Sequence, residues 1–134
     1  WKLTYQYANG VTLICTDGSP KIRMEGSEGW IECTWDTIEA SSREILHSEI
    51  GPGEIHLRTC PEHEQRDFLN CVKSRAATYA PAEIGHRTVT ISHIGNIAMK
   101  LGRKLRWDPE TERFEKDDTA NRMLSRTMRE PWHL

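Results

Sequence analysis

One long segment constrains this chain more than any other. From Pro81 to Gly102 the residues keep a single helical period, with proline at the start and glycine as the stop. Ile84, Ile91, Ile94, Ala98 and Leu101 recur at the required spacing and form an apolar stripe. The opposite side carries His86, Val89, His93, Ile97 and Lys100, which is less polar than a solvated helix face should be. That side is a candidate docking face, and His86, Arg87, His93 and Ile97 are its candidate substrate-contacting or domain-interface residues.

The chain before this helix reads mainly as strands and turns. Leu3, Tyr5 and Tyr7 alternate with polar residues, and Asn9-Gly10 then predicts a hairpin whose two central residues both need positive φ. Val11 to Cys15 is a second strand, and Asp17-Gly18-Ser19-Pro20 a turn. Lys21 to Glu25 alternates again, Gly26-Ser27-Glu28-Gly29 connects tightly, and Trp30 to Trp35 returns as a strand with its two tryptophans on opposite faces. Ser41 or Ser42 caps a short helix through Leu46, and Ile55 to Arg58 is a further strand. A helix then opens with Pro61 in its first position, carries Gln65, Phe68, Leu69 and Val72 on one face, and closes at Lys73 and Arg75.

Beyond the long helix, Leu105 to Trp107 and Arg113 to Glu115 read as short strands about an Asp108-Pro109 turn. Asp117 caps a last helix, Thr119 to Leu124, and the tail from Ser125 to Leu134 is irregular. Strands first and helices after favour the α+β class.

The 134 residues suit a single domain, and a chain of this length ordinarily buries roughly 68% of its unfolded surface. No disulfide or metal staple is then required. Cys15, Cys33, Cys60 and Cys71 lack metal-site spacing and read as mostly buried reduced side chains, with a disulfide framework or zinc site left open. The net charge of −2 gives no global field for nucleic acid or an anionic membrane, and no apolar run is long enough to span a bilayer. The chain begins at Trp1 within a strand-like pattern, as a trimmed domain would.

Candidate chemistry is sparse. His86 and His93 stand two helical turns apart, about 10.5 Å, too far to share one metal ion. They are packed, hydrogen-bonded residues or part of a face that meets another domain or a ligand. Arg87, Lys100, Arg103, Lys104 and Arg106 fall in a stretch without acids, but no aromatic platform accompanies them, so nucleic acid is not indicated. No serine has the setting of a nucleophile.

Four segments nevertheless resemble one family in order and spacing. They are Ile22 to Ile31, with its Gly26-Ser27-Glu28-Gly29 hairpin, and Phe68-Leu69-Asn70-Cys71-Val72-Lys73-Ser74-Arg75. Pro81 to Arg87 runs into His93 to Leu105, and Trp107-Asp108-Pro109 is followed by Asn121 to Arg126 and Met128 to Trp132. Together they resemble the C-terminal part of Gfo/Idh/MocA dehydrogenases, the glucose–fructose oxidoreductase and inositol dehydrogenase family, in its bacterial type. The resemblance implies an open, mostly antiparallel sheet with helices on one face. It implies a parent that transfers hydride between NAD or NADP and a sugar or cyclitol.

In that family a Rossmann domain binds the cofactor and a Glu-Lys-Pro segment supplies the catalytic lysine. Neither Gly-x-Gly-x-x-Gly nor Glu-Lys-Pro occurs here. The resemblance thus implies no catalytic, cofactor-binding or metal residue in this chain. It implies a substrate-side and assembly domain, partnered by an N-terminal Rossmann domain and by other copies through the sheet. The rival reading is a free-standing interaction module without a cofactor, whose own chain would cover Val89, Ile97 and the two histidines. A small metal enzyme is a third. The compartment stays open between cytoplasm and export.

Overall fold

The computed structural model describes residues 1–132. Two compact units divide the chain, Trp1–Pro61 and Glu62–Leu134. Among the described residues strands and helices are both present and every strand pairing is antiparallel, in keeping with the α+β reading. The strands are distributed over three separate small sheets.

In the first unit, β1 (Lys2–Gln6) pairs with β2 (Thr12–Thr16), Tyr5 facing Leu13. Alternation places Leu3, Tyr5, Leu13 and Cys15 on one half-buried face. The hairpin loop differs from the expected two-residue turn. Gly10 alone has a positive φ, of 89°, while its N–H reaches the Tyr7 carbonyl and the Tyr7 N–H reaches Val11. This is a three-residue loop closed by glycine, so Asn9 needs no left-handed conformation.

The second sheet orders β3 (Ile22–Glu25), β4 (Trp30–Cys33) and β5 (Ile38–Ala40) as a meander. One face collects Ile22, Met24, Ile31, Cys33, Ile38 and Ala40, as their registers dictate. The other holds Arg23, whose guanidinium lies 4.1 Å from the centre of the Trp30 ring and pairs with Glu25 at 2.6 Å. Gly29 sits at φ 151° with no room for a side chain, since a Cβ there would stand 2.1 Å from the Ser41 hydroxyl. That hydroxyl accepts the Trp30 N–H at 3.1 Å and so ties β4 to the residue after β5.

Trp35 is not part of β4. The Thr34 hydroxyl accepts the N–H groups of Asp36 and Thr37, turning the chain and leaving Trp35 87% exposed. Ser42 caps α1 (Arg43–Leu46) by accepting the Ile45 N–H, as its position foretold. The segment Ile55 to Arg58 joins no sheet among the described residues. Ile55 and Leu57 are 90% and 88% exposed, because period-two alternation makes a strand only where a neighbouring edge takes its hydrogen bonds.

In the second unit, α2 spans Glu64–Ser74 and begins after Pro61 rather than on it, with His63 as its N-cap and Arg75 closing it in the left-handed region. Its apolar residues Phe68, Leu69 and Val72 are exposed. The long helix α3 spans Ala82–Leu101, and Gly102 ends it at φ 63°, its N–H returning to Ala98. A two-stranded ribbon follows, β6 (Trp107–Asp108) with β7 (Arg113–Phe114), and then α4 (Asp118–Asn121) capped by Asp117. This helix ends earlier than the expected Leu124. The tail after Leu124 is irregular as far as Trp132, its last two positions lying outside the described residues.

The core of this unit is Ile97, Phe114 and Ala120, exposed by 7%, 2% and 0%, with Ile94, Leu101, Leu105 and Trp107 packed around them. Trp107 meets Phe114 edge to face at 5.1 Å, a geometry worth about 1 kcal/mol beyond area burial. Asn121 reinforces the ribbon from α4, accepting the Phe114 N–H at 2.8 Å and donating to the Phe114 carbonyl at 2.9 Å. The Arg103 guanidinium forks onto both oxygens of Asp117, 2.8 Å on one arm.

Two sequence expectations fail here. Cys15, Cys33, Cys60 and Cys71 are each half-buried rather than buried. The accessible surface is 12228 Å², so the chain buries only about 46% of what its unfolded form exposes, against the roughly 68% usual for its length. The reason is visible in both units: apolar faces of a sheet and a helix are left on the surface.

Candidate functional site

The four residues singled out on the long helix do not form one surface. Ile97 belongs to the core, under Phe114 and Ala120, and is unavailable as a pocket wall. His93 is exposed, as is Val89. Only His86 and Arg87 come together with chemistry, and a residue that the sequence reading passed over unites them.

That residue is Glu112, at the end of the turn between β6 and β7. His86 Nε2 lies 2.7 Å from Glu112 Oε1, and Arg87 Nη1 donates to the same oxygen at 3.1 Å. Arg87 also donates to the Pro109 carbonyl at 3.1 Å, and its Nε donates to Glu83 one turn back at 2.8 Å. The His86 hydrogen bond, with the Arg87 charge adding to it, holds the Glu112 carboxyl below the usual carboxylate range. Its hydrogen bond to Glu83 raises the Arg87 guanidinium above its ordinary value.

The turn itself is fixed by Asp108, whose carboxylate accepts the Glu110 N–H and the Thr111 hydroxyl, and these bonds lower its pKa. One sequence signal pointed at this cluster. The acid-free stretch after Glu83 ends at Asp108, and Asp108, Glu110 and Glu112 then return in quick succession on the turn.

Two of the four other bases in the stretch are matched nearby. Arg103 pairs with Asp117, and Arg106 with Glu115 at 2.9 Å. That leaves little concentrated positive field for a polyanion. In the first unit, a shallow groove of about 600 Å³ runs between the Met24 to Ile31 hairpin and Glu44, Ile45 and Ser48. Its lining is more apolar than polar and includes Glu25, Glu28 and Glu44 with Ser27 and Ser48. Among the described residues, no three His, Cys, Asp or Glu side chains converge as a metal site needs, and no helix is long and apolar enough to cross a membrane.

Residues 1–134, the whole chain, match the family described as an oxidoreductase family, C-terminal alpha/beta domain, of the Gfo/Idh/MocA group. No curated protein and no solved structure matches the chain. An α+β chain with antiparallel sheets, matched from end to end, belongs to the Gfo/Idh/MocA oxidoreductase family as its C-terminal α/β domain.

Proposed function

We propose that this chain is the substrate-side and assembly part of an NAD- or NADP-dependent oxidoreductase acting on a sugar or cyclitol, and is inactive by itself. It works beside an N-terminal Rossmann domain of the same polypeptide, which carries the cofactor and the catalytic lysine. This chain supplies pocket wall and a surface for pairing subunits.

The observation behind the reading is the unmet demand for burial. Two independent compact bodies of these lengths would expose about 8,700 Å² together, whereas this chain exposes 12228 Å². Much of the excess is apolar and contiguous within an element: Ile22, Met24 and Ile38 on one sheet face, Phe68, Leu69 and Val72 along α2. Faces of this kind mark surfaces that another protein body covers. The family match supports reading that body as the rest of an oxidoreductase.

Calorimetric titration with NAD and NADP tests the proposal. The 134-residue chain should give no binding heat, and a longer polypeptide carrying the dinucleotide-binding domain should bind. Nucleotide binding by the chain alone would overturn the reading, because it would require a site without any dinucleotide fingerprint.

A further inference from the structure

Independently of that reading, we infer that Asn9 is a self-modifying site. In the folded chain its side-chain amide is lost through a cyclic imide formed with Gly10, and the isoaspartate that results loosens the β1–β2 hairpin.

Asn9 and Gly10 are both exposed, and a Cβ built on Gly10 would meet nothing within 4 Å. The carboxamide therefore approaches the Gly10 nitrogen without steric opposition. Asn9 Oδ1 accepts the Val11 N–H at 3.1 Å. That bond turns the carboxamide toward the residues that follow it. It also sets a donor on the oxygen that becomes an oxyanion when Cγ is attacked. The Gly10 N–H is tied to the Tyr7 carbonyl at 3.0 Å, and local opening of this exposed turn releases the nitrogen. The other three asparagines, Asn70, Asn96 and Asn121, are placed against the same chemistry. They lie within α2, α3 and α4, where the helical backbone pins the amide of the next residue. Those next residues, Cys71, Ile97 and Arg122, all carry side chains that hinder the approach. Asn121 has both ends of its amide engaged by Phe114 as well.

Water is the only co-reactant. The Gly10 nitrogen gives its proton to solvent and bonds to Asn9 Cγ. The bond from Cγ to the carboxamide nitrogen breaks, and that nitrogen takes up a proton and leaves as ammonia. Water then opens the ring at either carbonyl, so asparagine and water become ammonia and either aspartate or isoaspartate. Aspartate leaves the loop as it was, because Asp-Gly suits the same hairpin. Isoaspartate routes the main chain through the former side-chain carbon and adds a methylene to it. The loop closes only because Tyr7 meets both Gly10 and Val11, so a longer path there unfastens the end of the hairpin.

Peptide mapping by mass spectrometry tests this on the 134-residue chain, held folded at pH 5 and at pH 8. The peptide with Asn9 should exchange its amide for an acid about ten-fold or more faster than those with Asn70, Asn96 and Asn121, the ratio that about 1.4 kcal/mol of barrier gives. Conversion should be faster at pH 8, where the attacking nitrogen loses its proton more readily, and should yield isoaspartate beside aspartate. Asn9→Gln, whose extra methylene disfavours the ring, should suppress it. Molecules carrying isoaspartate should lose hydrogen-exchange protection at the Tyr5 and Leu13 amides, which face each other across the hairpin. Asn9→Asp has the charge without the longer backbone and should keep that protection. Conversion at Asn9 no faster than at the helical asparagines, or aspartate formed without isoaspartate, would overturn the imide route. Unchanged protection in the isoaspartate form would overturn its effect on the hairpin.

Discussion

Gly29→Ala is the substitution that most directly tests how the first unit is held together. Two independent costs act at this position. At φ 151° the backbone occupies a region that side chains rarely adopt, worth about 1–3 kcal/mol of strain. The new methyl would also stand 2.1 Å from the Ser41 hydroxyl and 2.7 Å from Ile45 Cδ1. The hydroxyl can rotate away, but only by giving up the Trp30 N–H, a bond worth about 1 kcal/mol. The combined loss is therefore about 2–4 kcal/mol.

Native-state hydrogen exchange of the β4 amides is the appropriate assay, because it reads the opening free energy of this sheet locally. The double variant Gly29→Ala with Ser41→Gly relieves the overlap with the hydroxyl but not the strain. It should therefore stay clearly less stable than Ser41→Gly alone. Protection in Gly29→Ala within 1 kcal/mol of the original would refute both the strain and the overlap.

Other outcomes follow from the second unit. Asn121→Ala strands the N–H and carbonyl of a fully packed residue, and should cost about 2–4 kcal/mol in urea unfolding followed by the Ala120 amide NMR signal. A loss below 1 kcal/mol would show that water replaces both bonds. Acid should loosen α4 in a defined window. The Arg103 hydrogen bond, aided by the Ala120 N–H, lowers Asp117 from its ordinary 3.8 to about 2. A depressed carboxylate stabilises the fold above its unfolded value, so this contribution is present above about pH 4 and disappears as pH falls toward about 2. Circular dichroism across that range should show the loss, and Asp117→Asn should flatten it.

What the sequence disclosed and what it concealed divide by distance along the chain. The bounds of α3, the Ser42 and Asp117 caps and the ribbon about Asp108-Pro109 are local events, decided within a few residues, and the sequence carries them plainly. Ile97 was legible too, with more careful geometry. At 100° per residue it stands only about 60° from Ile94 and 40° from Leu101, on the flank of the stripe rather than opposite it. Trp35 was displaced by a side chain competing with the strand, since the Thr34 hydroxyl takes two backbone N–H groups. The partnership of His86 and Arg87 with Glu112 joins residues 25 or 26 positions apart, and no periodicity announces it. The excess of exposed apolar surface was hidden for another reason: pattern tells which residues want burial, not whether this stretch of chain provides the cover.

Asn121 has a consequence for how this unit meets other chains. A two-stranded ribbon ends in open edges, and an open edge is a template on which a foreign strand can grow. Along Phe114 the outward N–H and carbonyl are already answered by one amide, which imitates the donor and acceptor of a neighbouring strand without extending further. The ribbon is thus closed to recruitment along that edge by a single side chain. A large sheet more often achieves the same protection by curling into a barrel or hiding its margin beneath a helix.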